Sequence, residues 1–229
     1  MVLSTPELIR RAIRNDIFIE SMLARGLINY SALARTLLPK IRKENPKAKF
    51  ESILIAIQRY AMTIKKPEQI EKALKDVLAK TELVMKNDII QITFERDRKI
   101  YESILEASKK IHLEVGEIFF LIQGSRDISM FLDQHKAQEL QHLLEKTINI
   151  TKGLAIISLR EPSYKMKENE LSRQIPGYLS ALTTLLAKNN INIAEIASTH
   201  SQMIFVIWEK DLVRAYQVFD ECVKYCREK

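Results

Sequence analysis

The chain has 229 residues, of which 46% are hydrophobic and 28% charged, with only 5 glycines and 6 prolines. This composition is that of a globular protein and excludes disordered, collagen-like and low-complexity classes. No apolar run approaches the roughly 20 residues that a membrane-spanning helix needs, and the N-terminus lacks the pattern of a secretion signal. Because the cysteines are only Cys222 and Cys226, we expect no disulfide framework and a cytoplasmic location.

The net charge of +7 is concentrated in one part of the chain. Residues 1–78 hold 15 Lys and Arg against 8 Asp and Glu, a balance of +7, whereas residues 79–229 hold 21 of each and balance to zero. Evenly spread charge only aids solubility, but concentrated positive charge indicates an acidic partner such as nucleic acid. The N-terminal third is therefore the candidate binding module.

Apolar residues at helical spacing predict that residues 6–78 are entirely α-helical. Thr5, followed by Pro6, is a suitable N-cap for the first helix, and Gly26 is a suitable stop. Either Asn29 or Ser31 is expected to cap the next helix. That helix is kinked or restarted at Pro39 in our prediction and ends at Asn45 and Pro46; further helices are predicted over residues 50–64 and 68–79.

After Ala79 the pattern changes to short β-branched runs that alternate with amphipathic helices. The order strand, helix, strand, strand, helix occurs twice, at a spacing of about 65 residues. The predicted elements are 89–94, 97–110, 118–122, 128–132 and 134–146, then 154–159, 176–188, 191–196, 203–208 and 212–225. Each set can form an antiparallel sheet with its helices on one face.

We therefore predict an α+β protein with an N-terminal all-α domain, residues 1–78. Two ferredoxin-like βαββα units follow, a first repeat over residues 79–149 and a second repeat over residues 150–229. The edges of such sheets can be covered by the other repeat or by a second chain, and a homodimer is expected. Whether the repeats pair within a chain or between chains stays open.

The second repeat carries Ile175-Pro176-Gly177-Tyr178-Leu179, then Asn190-Ile191-Asn192-Ile193, then residues 198–207, which lead into the last predicted strand. In order and spacing these segments resemble the ACT domain, the sensing module of aspartokinases and other proteins regulated by amino acids. The resemblance implies a Pro-Gly pair that opens a helix, where bare backbone amides can receive a carboxylate. It implies an effector site formed by Ile175, Pro176, Gly177, Tyr178, Leu179, Asn192 and Ile193.

The resemblance covers residues 153–225 and is weaker over residues 85–147. There Glu95-Arg96-Asp97-Arg98 replaces the Pro-Gly pair, so the first repeat is expected to keep the fold and to lose the effector site. A polar stretch, residues 161–174, is longer than in the family. It is either a lid over the ligand or an insertion without function.

The N-terminal third resembles a helix-turn-helix or winged-helix module, with residues 29–37 as its first helix and residues 50–64 as its recognition helix. The connection is longer than in the simple motif. The candidate nucleic-acid contacts on double-stranded DNA are Arg35, Lys40, Arg42, Lys43, Lys47, Lys49, Gln58 and Arg59. In the alternative interpretation these are solvated charges on a helical bundle that docks on another protein.

The sequence contains no phosphate-binding loop, nucleophile elbow or Walker motif, and we predict neither enzymatic activity nor a cofactor. His135 and His142 share a helix face, but no third ligand lies near them in sequence, so no metal site is predicted. Cys222 and Cys226 are expected to pack as unreactive thiols.

Two hypotheses follow. In the first, the chain is an amino-acid-responsive transcriptional regulator with a basic DNA-binding head. In the second, it is a regulatory or scaffold subunit whose head docks on a biosynthetic enzyme without binding DNA. Salt dependence separates them, because phosphate contacts weaken steeply with added salt.

Overall fold

The computed structural model describes residues 3–64, 68–109, 111–112, 116–140, 147–161 and 172–228. The chain forms two compact units, a head domain, Met1–Glu71, and a sheet domain, Lys72–Lys229. Among the residues described, no helix is both long enough and apolar enough to cross a membrane.

Within residues 3–64 the head domain is built from helices alone: α1 (Thr5–Arg14), α2 (Ile17–Ala24), α3 (Tyr30–Glu44) and α4 (Phe50–Thr63). The next helix, α5 (Glu68–Lys80), begins in the head domain and ends in the sheet domain. Helices α1, α3 and α4 each bury one apolar face in a common core, which matches the predicted periodicity. The fully buried members of that core include Leu8, Ile9, Ile13, Ala34, Ile53 and Ile57.

The first helix begins one residue earlier than the sequence predicted. Ser4, and not Thr5, is the N-cap, because the Glu7 carboxylate accepts hydrogen bonds from the Ser4 backbone N–H at 2.8 Å and from its hydroxyl at 2.7 Å. These two bonds hold the pKa of Glu7 below its usual value. A second start was missed: Asp16 caps α2 by accepting from the backbone N–H groups of Phe18 and Ile19.

Other predicted helix boundaries are confirmed. Gly26 follows the end of α2 with φ +70°, and the Asn29 side chain caps α3 by accepting from Ala32 N–H at 3.0 Å. Asn45 ends α3. Pro39, however, does not restart the helix, because α3 is a single helix from Tyr30 to Glu44.

The sheet domain alternates strands and helices as predicted. Its elements are β1 (Glu82–Glu95), α6 (Arg98–Ser108), β2 (Phe119–Gln123), β3 (Asp127–Asp133), β4 (Thr147–Arg160), α7 (Tyr178–Lys188), β5 (Ile193–Ser198), β6 (Gln202–Trp208) and α8 (Leu212–Arg227). Short 3₁₀ helices lie at Gln134–Leu140, Ser172–Gln174 and Glu209–Asp211. The helix predicted over 134–146 is 3₁₀ over its first seven residues, and residues 141–146 lie outside the described part of the chain.

The six strands form one antiparallel sheet in the order β2-β3-β1-β4-β6-β5. Strands β1 and β4 are the long central pair, each of 14 residues. The order β2-β3-β1-β4 is the ferredoxin-like arrangement of the first repeat, with β4 as its fourth strand. The second repeat has the order β5-β6-β4-β1, in which β1 serves as the fourth strand. The two repeats therefore pair within the chain, and the first strand of each is also the fourth strand of the other.

Because β4 begins at Thr147, the predicted boundary between residues 149 and 150 falls inside a strand. The first half of β1, Glu82–Asp88, was also missed as a strand. It is mostly polar and pairs only with β4, so its conformation depends on a tertiary contact that local periodicity does not report.

Strands β1 and β4 change register near the middle of β1. Asp88 and Gly153 both have positive φ, 59° and 71°, next to the bulge between Lys86 and Ile89. The helices pack on one face of the sheet, over separate cores in the two repeats. The opposite face carries a third apolar cluster that joins both repeats and includes Ile89, Phe131, Leu154, Ile156 and Val206.

Candidate functional site

The start of α7 is the predicted effector site, and its geometry depends on Gly177. This residue is the N-cap of α7 in the left-handed conformation, with φ +84°. No heavy atom lies within 4 Å of where a Cβ would stand, so glycine is required by the backbone angle and not by space. Its carbonyl accepts from Ala181 N–H at 2.9 Å, and Tyr178 N–H donates to Ile175 C=O at 3.3 Å.

An open pocket of about 490 Å³ lies beside this helix start. Four of the seven predicted residues line it, Ile175, Gly177, Tyr178 and Leu179, together with Ser172, Ser180, Thr183 and Met203. Among the described residues, the lining contains no Lys, Arg, Asp or Glu. It combines hydroxyl groups with apolar side chains beside a helix N-terminus, where first-turn N–H groups have no intrahelical partner.

The other three predicted residues are not in the pocket lining. Pro176 is exposed between two residues that line it, and Asn192 is exposed just before β5. Ile193 begins β5 and packs against the helix-side core of the second repeat. Ser172 and Met203 were not among the predicted site residues, because only folding brings them next to α7.

One boundary of the pocket is held by a buried carboxylate. Glu161 follows β4, and its side chain accepts from the backbone N–H of Ser172 at 2.9 Å. Its own N–H donates to Ser201 C=O at 2.8 Å. Glu161 thereby fixes both ends of the stretch that was predicted to be either a lid or an insertion; residues 162–171 of it lie outside the described chain.

The Tyr178 phenol lies within the second repeat's core and is almost fully buried. Among the described residues its hydroxyl has no hydrogen-bond partner. Thr81 lies beside it, but the Thr81 hydroxyl donates to Val77 C=O at 3.0 Å. Burial, and after it the nearby Glu161 carboxylate, raise the pKa of Tyr178 far above its usual value, so the phenol stays neutral.

In the head domain, all eight predicted nucleic-acid contacts are exposed. Six of them, Arg35, Lys40, Arg42, Lys43, Lys47 and Lys49, lie on α3 or on the short connection to α4. Among the described residues none of the six has a carboxylate within 4 Å; Arg42 donates to Ala48 C=O at 3.2 Å. Glu44, the last residue of α3, pairs with Arg11.

The other two contacts lie on α4. Arg59 lines a second pocket of about 580 Å³ with Arg10, Ile55 and Tyr60, whereas Gln58 is exposed outside that lining. Tyr60 fixes α4 within the domain, because its hydroxyl donates to Glu20 and accepts from Arg14 Nε at 3.3 Å.

The histidines and cysteines that the sequence assigned to no functional site were also located. His135 is exposed with Nε2 3.9 Å from Glu117, and His142 lies outside the described part. No group of three metal-ligating side chains occurs among the described residues. Burial, and then the neighbouring Cys226, raise the pKa of Cys222 to about 11.

No protein-family model matches the chain, and no characterised protein matches it in sequence. Similar solved structures include aspartokinase alpha and beta subunits, with 16% identity, a TM-score of 0.48, and coverage of 63% of this chain and 98% of that one. The ligand-free regulatory subunit of aspartate kinase from Thermus thermophilus is 15% identical with a TM-score of 0.48, and the match covers 63% of this chain and 98% of that one. Aspartate kinase from Clostridium acetobutylicum is 16% identical with a TM-score of 0.47, and the match covers 62% of this chain and 34% of that one.

The mixed α+β class and the antiparallel sheet are shown by the strand order itself. The described helices of the head domain are likewise shown, whereas its helix-turn-helix character stays a prediction.

Proposed function

We propose that the chain is a regulatory protein that acts by binding and not by catalysis, with an amino acid as effector at the second repeat. The observation that carries this proposal is the open pocket at Gly177, where α7 begins, whose described lining consists of hydroxyl and apolar residues. The resemblance of residues 153–225 to ACT domains supports the same position.

The chemistry of the pocket suits a zwitterion. The positive end of α7 and the N–H groups of Leu179 and Ser180 favour a carboxylate. Ser180 and Thr183 supply hydroxyl oxygens, while Ile175 and Met203 supply apolar surface for a side chain. Because the described part of the lining has no charged side chain, a ligand without net charge loses least there on leaving water.

Calorimetric titration of the full chain with each L-amino acid tests this site. We expect at least one to bind with a dissociation constant below about 1 mM, typical of small effectors that use few contacts. Gly177→Ala is expected to weaken that binding at least about tenfold, because alanine disfavours the left-handed N-cap that shapes the pocket.

Gly153→Ala is the matched control. Gly153 also has positive φ and open space at its Cβ position, but it lies in β4 outside the pocket. Its substitution should leave effector affinity unchanged. Failure of all amino acids to bind at millimolar concentration would remove the proposal.

We propose that the head domain is the output module and that it binds DNA. The six exposed cations, which have no carboxylate partner among the described residues, carry this step, since phosphate contacts provide most of the affinity for DNA. The structure also leaves only residues 45–49 between α3 and α4, which is close to the turn of a helix-turn-helix motif.

A specific observation favours docking on a protein as the second candidate. The α4 helix exposes Ile55 and Met62, the latter 86% exposed, on the helix predicted to read bases. Phe18 and Met22, four residues apart on α2, are exposed as well. Exposed apolar side chains at helical spacing are typical of protein interfaces.

Two sets of substitutions separate these outputs. Lys43→Ala, Lys47→Ala and Lys49→Ala together should lower the slope of log affinity against log salt for duplex DNA by about 3. The charge-matched control removes Lys152, Lys188 and Lys210 of the sheet domain, which are exposed and should leave DNA binding unchanged. Ile55→Ser with Met62→Ser should impair only a docking function. Anisotropy measurements between 50 and 200 mM salt that show no binding to duplex DNA would exclude the first output.

We also propose a homodimer. Strands β2 and β5 lie at the two ends of the sheet, and each pairs with one neighbour in the described chain. Edge strands with unpaired N–H and C=O groups can extend a sheet into a second copy. Light scattering that gives the monomer mass of 26.6 kDa at all accessible concentrations would contradict the dimer.

A further inference from the structure

The first repeat has a pocket of its own where β1 leads into α6. Its volume is about 650 Å³, and it occupies the position in the first repeat that the Gly177 pocket occupies in the second. The lining combines the β1–α6 connection with the turn between β2 and β3. Its side chains include Arg96, Asp97, Arg98, Tyr101, Gln123 and Arg126. The sequence predicted that the first repeat lacks the effector site. The structure has a pocket at this position, but its lining differs from that of the Gly177 pocket.

A backbone contact brings two of the arginines together. Arg96 N–H donates to Arg126 C=O at 3.0 Å, so the two residues lie on adjacent segments that are hydrogen-bonded to each other. Arg98 follows two residues after Arg96 and is the first residue of α6. Three guanidinium groups thus belong to one concave surface.

These guanidinium groups are poorly neutralised by protein carboxylates. Arg96 reaches only Ser125 C=O, at 3.5 Å, and Arg126 has no carboxylate within 4 Å among the described residues. Arg98 pairs with Glu102 at 3.0 Å, but both side chains are exposed, and such a pair is weak. Arg96 and Arg126 are therefore available to a ligand.

Asp97 is the one carboxylate in the described lining, and it is already engaged. Its Oδ1 accepts from the backbone N–H groups of Lys99 and Ile100 at 2.8 and 3.1 Å, which caps α6. The helix end is thus not the anion-binding element here. Glu95 and Asp127 are opposite each other in the register of β1 and β3 and lie outside the lining. Its described residues therefore include three arginines and one acid.

We propose that this pocket binds a nucleoside phosphate. Planar guanidinium groups that are free of carboxylates match phosphate oxygens with paired hydrogen bonds. The partly exposed Tyr101 ring lies in the same lining and offers a face for a planar base. The volume falls within the range of about 300–1,000 Å³ typical of small-molecule sites. The two repeats then hold ligands of different charge at equivalent positions.

The test is calorimetric titration of the full chain with ADP, pyrophosphate and adenosine. We expect ADP to bind most tightly, pyrophosphate more weakly and adenosine not measurably. Arg96→Ala with Arg126→Ala should weaken ADP binding by about 100-fold, about tenfold for each charged hydrogen-bonding group. Tyr101→Leu should weaken ADP binding while leaving pyrophosphate unchanged.

The control removes the same charge from the sheet domain by Lys109→Ala with Lys188→Ala, two exposed lysines outside the pocket. Equal loss of ADP binding in the control would show that net charge, and not this pocket, is responsible, and would overturn the proposal. So would ADP binding no tighter than pyrophosphate. Tighter binding of a short single-stranded DNA that competes with ADP and depends on Arg96 and Arg126 would instead identify a nucleic-acid surface and equally overturn it.

Discussion

Lys86 and Asp133 form an ion pair beside the bulge of β1, with Lys86 Nζ 2.7 Å from Asp133 Oδ1 and 2.9 Å from Oδ2. The carboxylate is nearly buried, with 4% of the side chain exposed against 32% for Lys86. Asp133 also accepts from Ile118 N–H at 2.7 Å, and Lys86 donates to Gly116 C=O at 2.8 Å. The pair therefore ties β1 and β3 to the segment that leads into β2.

Lys86→Met is expected to destabilise the sheet domain by about 2 kcal/mol. It leaves the Asp133 carboxylate buried without its countercharge, and roughly 3–5 kcal/mol is lost when a fully buried pair is broken in this way. The partial exposure of Lys86 reduces that figure. Urea unfolding of the variant measures it.

Adding Asp133→Asn to Lys86→Met should recover part of the loss, since no buried charge is then left and the amide oxygen can still accept from Ile118. Arg98→Met is the comparison at an exposed pair, where a loss above about 1 kcal/mol is not expected. A Lys86→Met variant as stable as the parent would show that Asp133 does not need this partner.

Gly177→Ala and Gly153→Ala should each lower the free energy of unfolding by about 1 kcal/mol. Both glycines have positive φ, which costs alanine roughly 1–2 kcal/mol, partly offset by the smaller entropy of its unfolded chain. Because nothing lies within 4 Å of either Cβ position, no steric term adds to this. Gly177→Asn should lose less, since asparagine adopts left-handed backbone more readily. Equal stability of Gly177→Asn and Gly177→Ala would contradict this explanation.

Local signals account for what the sequence predicted correctly. Asn29 and Gly26 delimit helices through side-chain and backbone chemistry within a few residues, and the β-branched runs around Ile92 and Ile157 locate the central strands. Local signals could not predict that both repeats include β1 and β4, because this arrangement depends on distant strand pairing. Lys86 pairs with Ile156, for example, which lies 70 positions away. Arg126 was missed for the same reason: only the hairpin brings it to Arg96.

Tyr178→Phe is expected to leave the stability unchanged or raise it by up to about 1 kcal/mol. The substitution removes a buried hydroxyl that has no partner among the described residues, and leaving such a group unpaired costs roughly 1–3 kcal/mol. Tyr60→Phe is the matched change in the head domain and should cost about 2 kcal/mol, because that hydroxyl bonds to Glu20 and Arg14. Calorimetric unfolding tests both, and a clear loss for Tyr178→Phe would reveal an unrecognised partner for its hydroxyl.

Cys222 should react slowly with iodoacetamide in the folded protein and faster as the pH rises. Burial, and after it the neighbouring Cys226, raise its pKa from 9.0 to about 11, so that at pH 8 the reactive thiolate is up to about 100-fold rarer than in the unfolded chain. The greater nucleophilicity of a more basic thiolate offsets part of this, which leaves an expected slowing between about tenfold and 100-fold. The rate should then rise about tenfold per pH unit between pH 8 and 10. Labelling is measured in the Cys226→Ser variant, in which Cys222 is the remaining cysteine. This variant keeps the burial of Cys222, which is the larger cause of the pKa shift. The same variant unfolded in urea gives the reference rate. A folded-state rate that stops rising below pH 9 would contradict the raised pKa and would make Cys222 an accessible, reactive thiol.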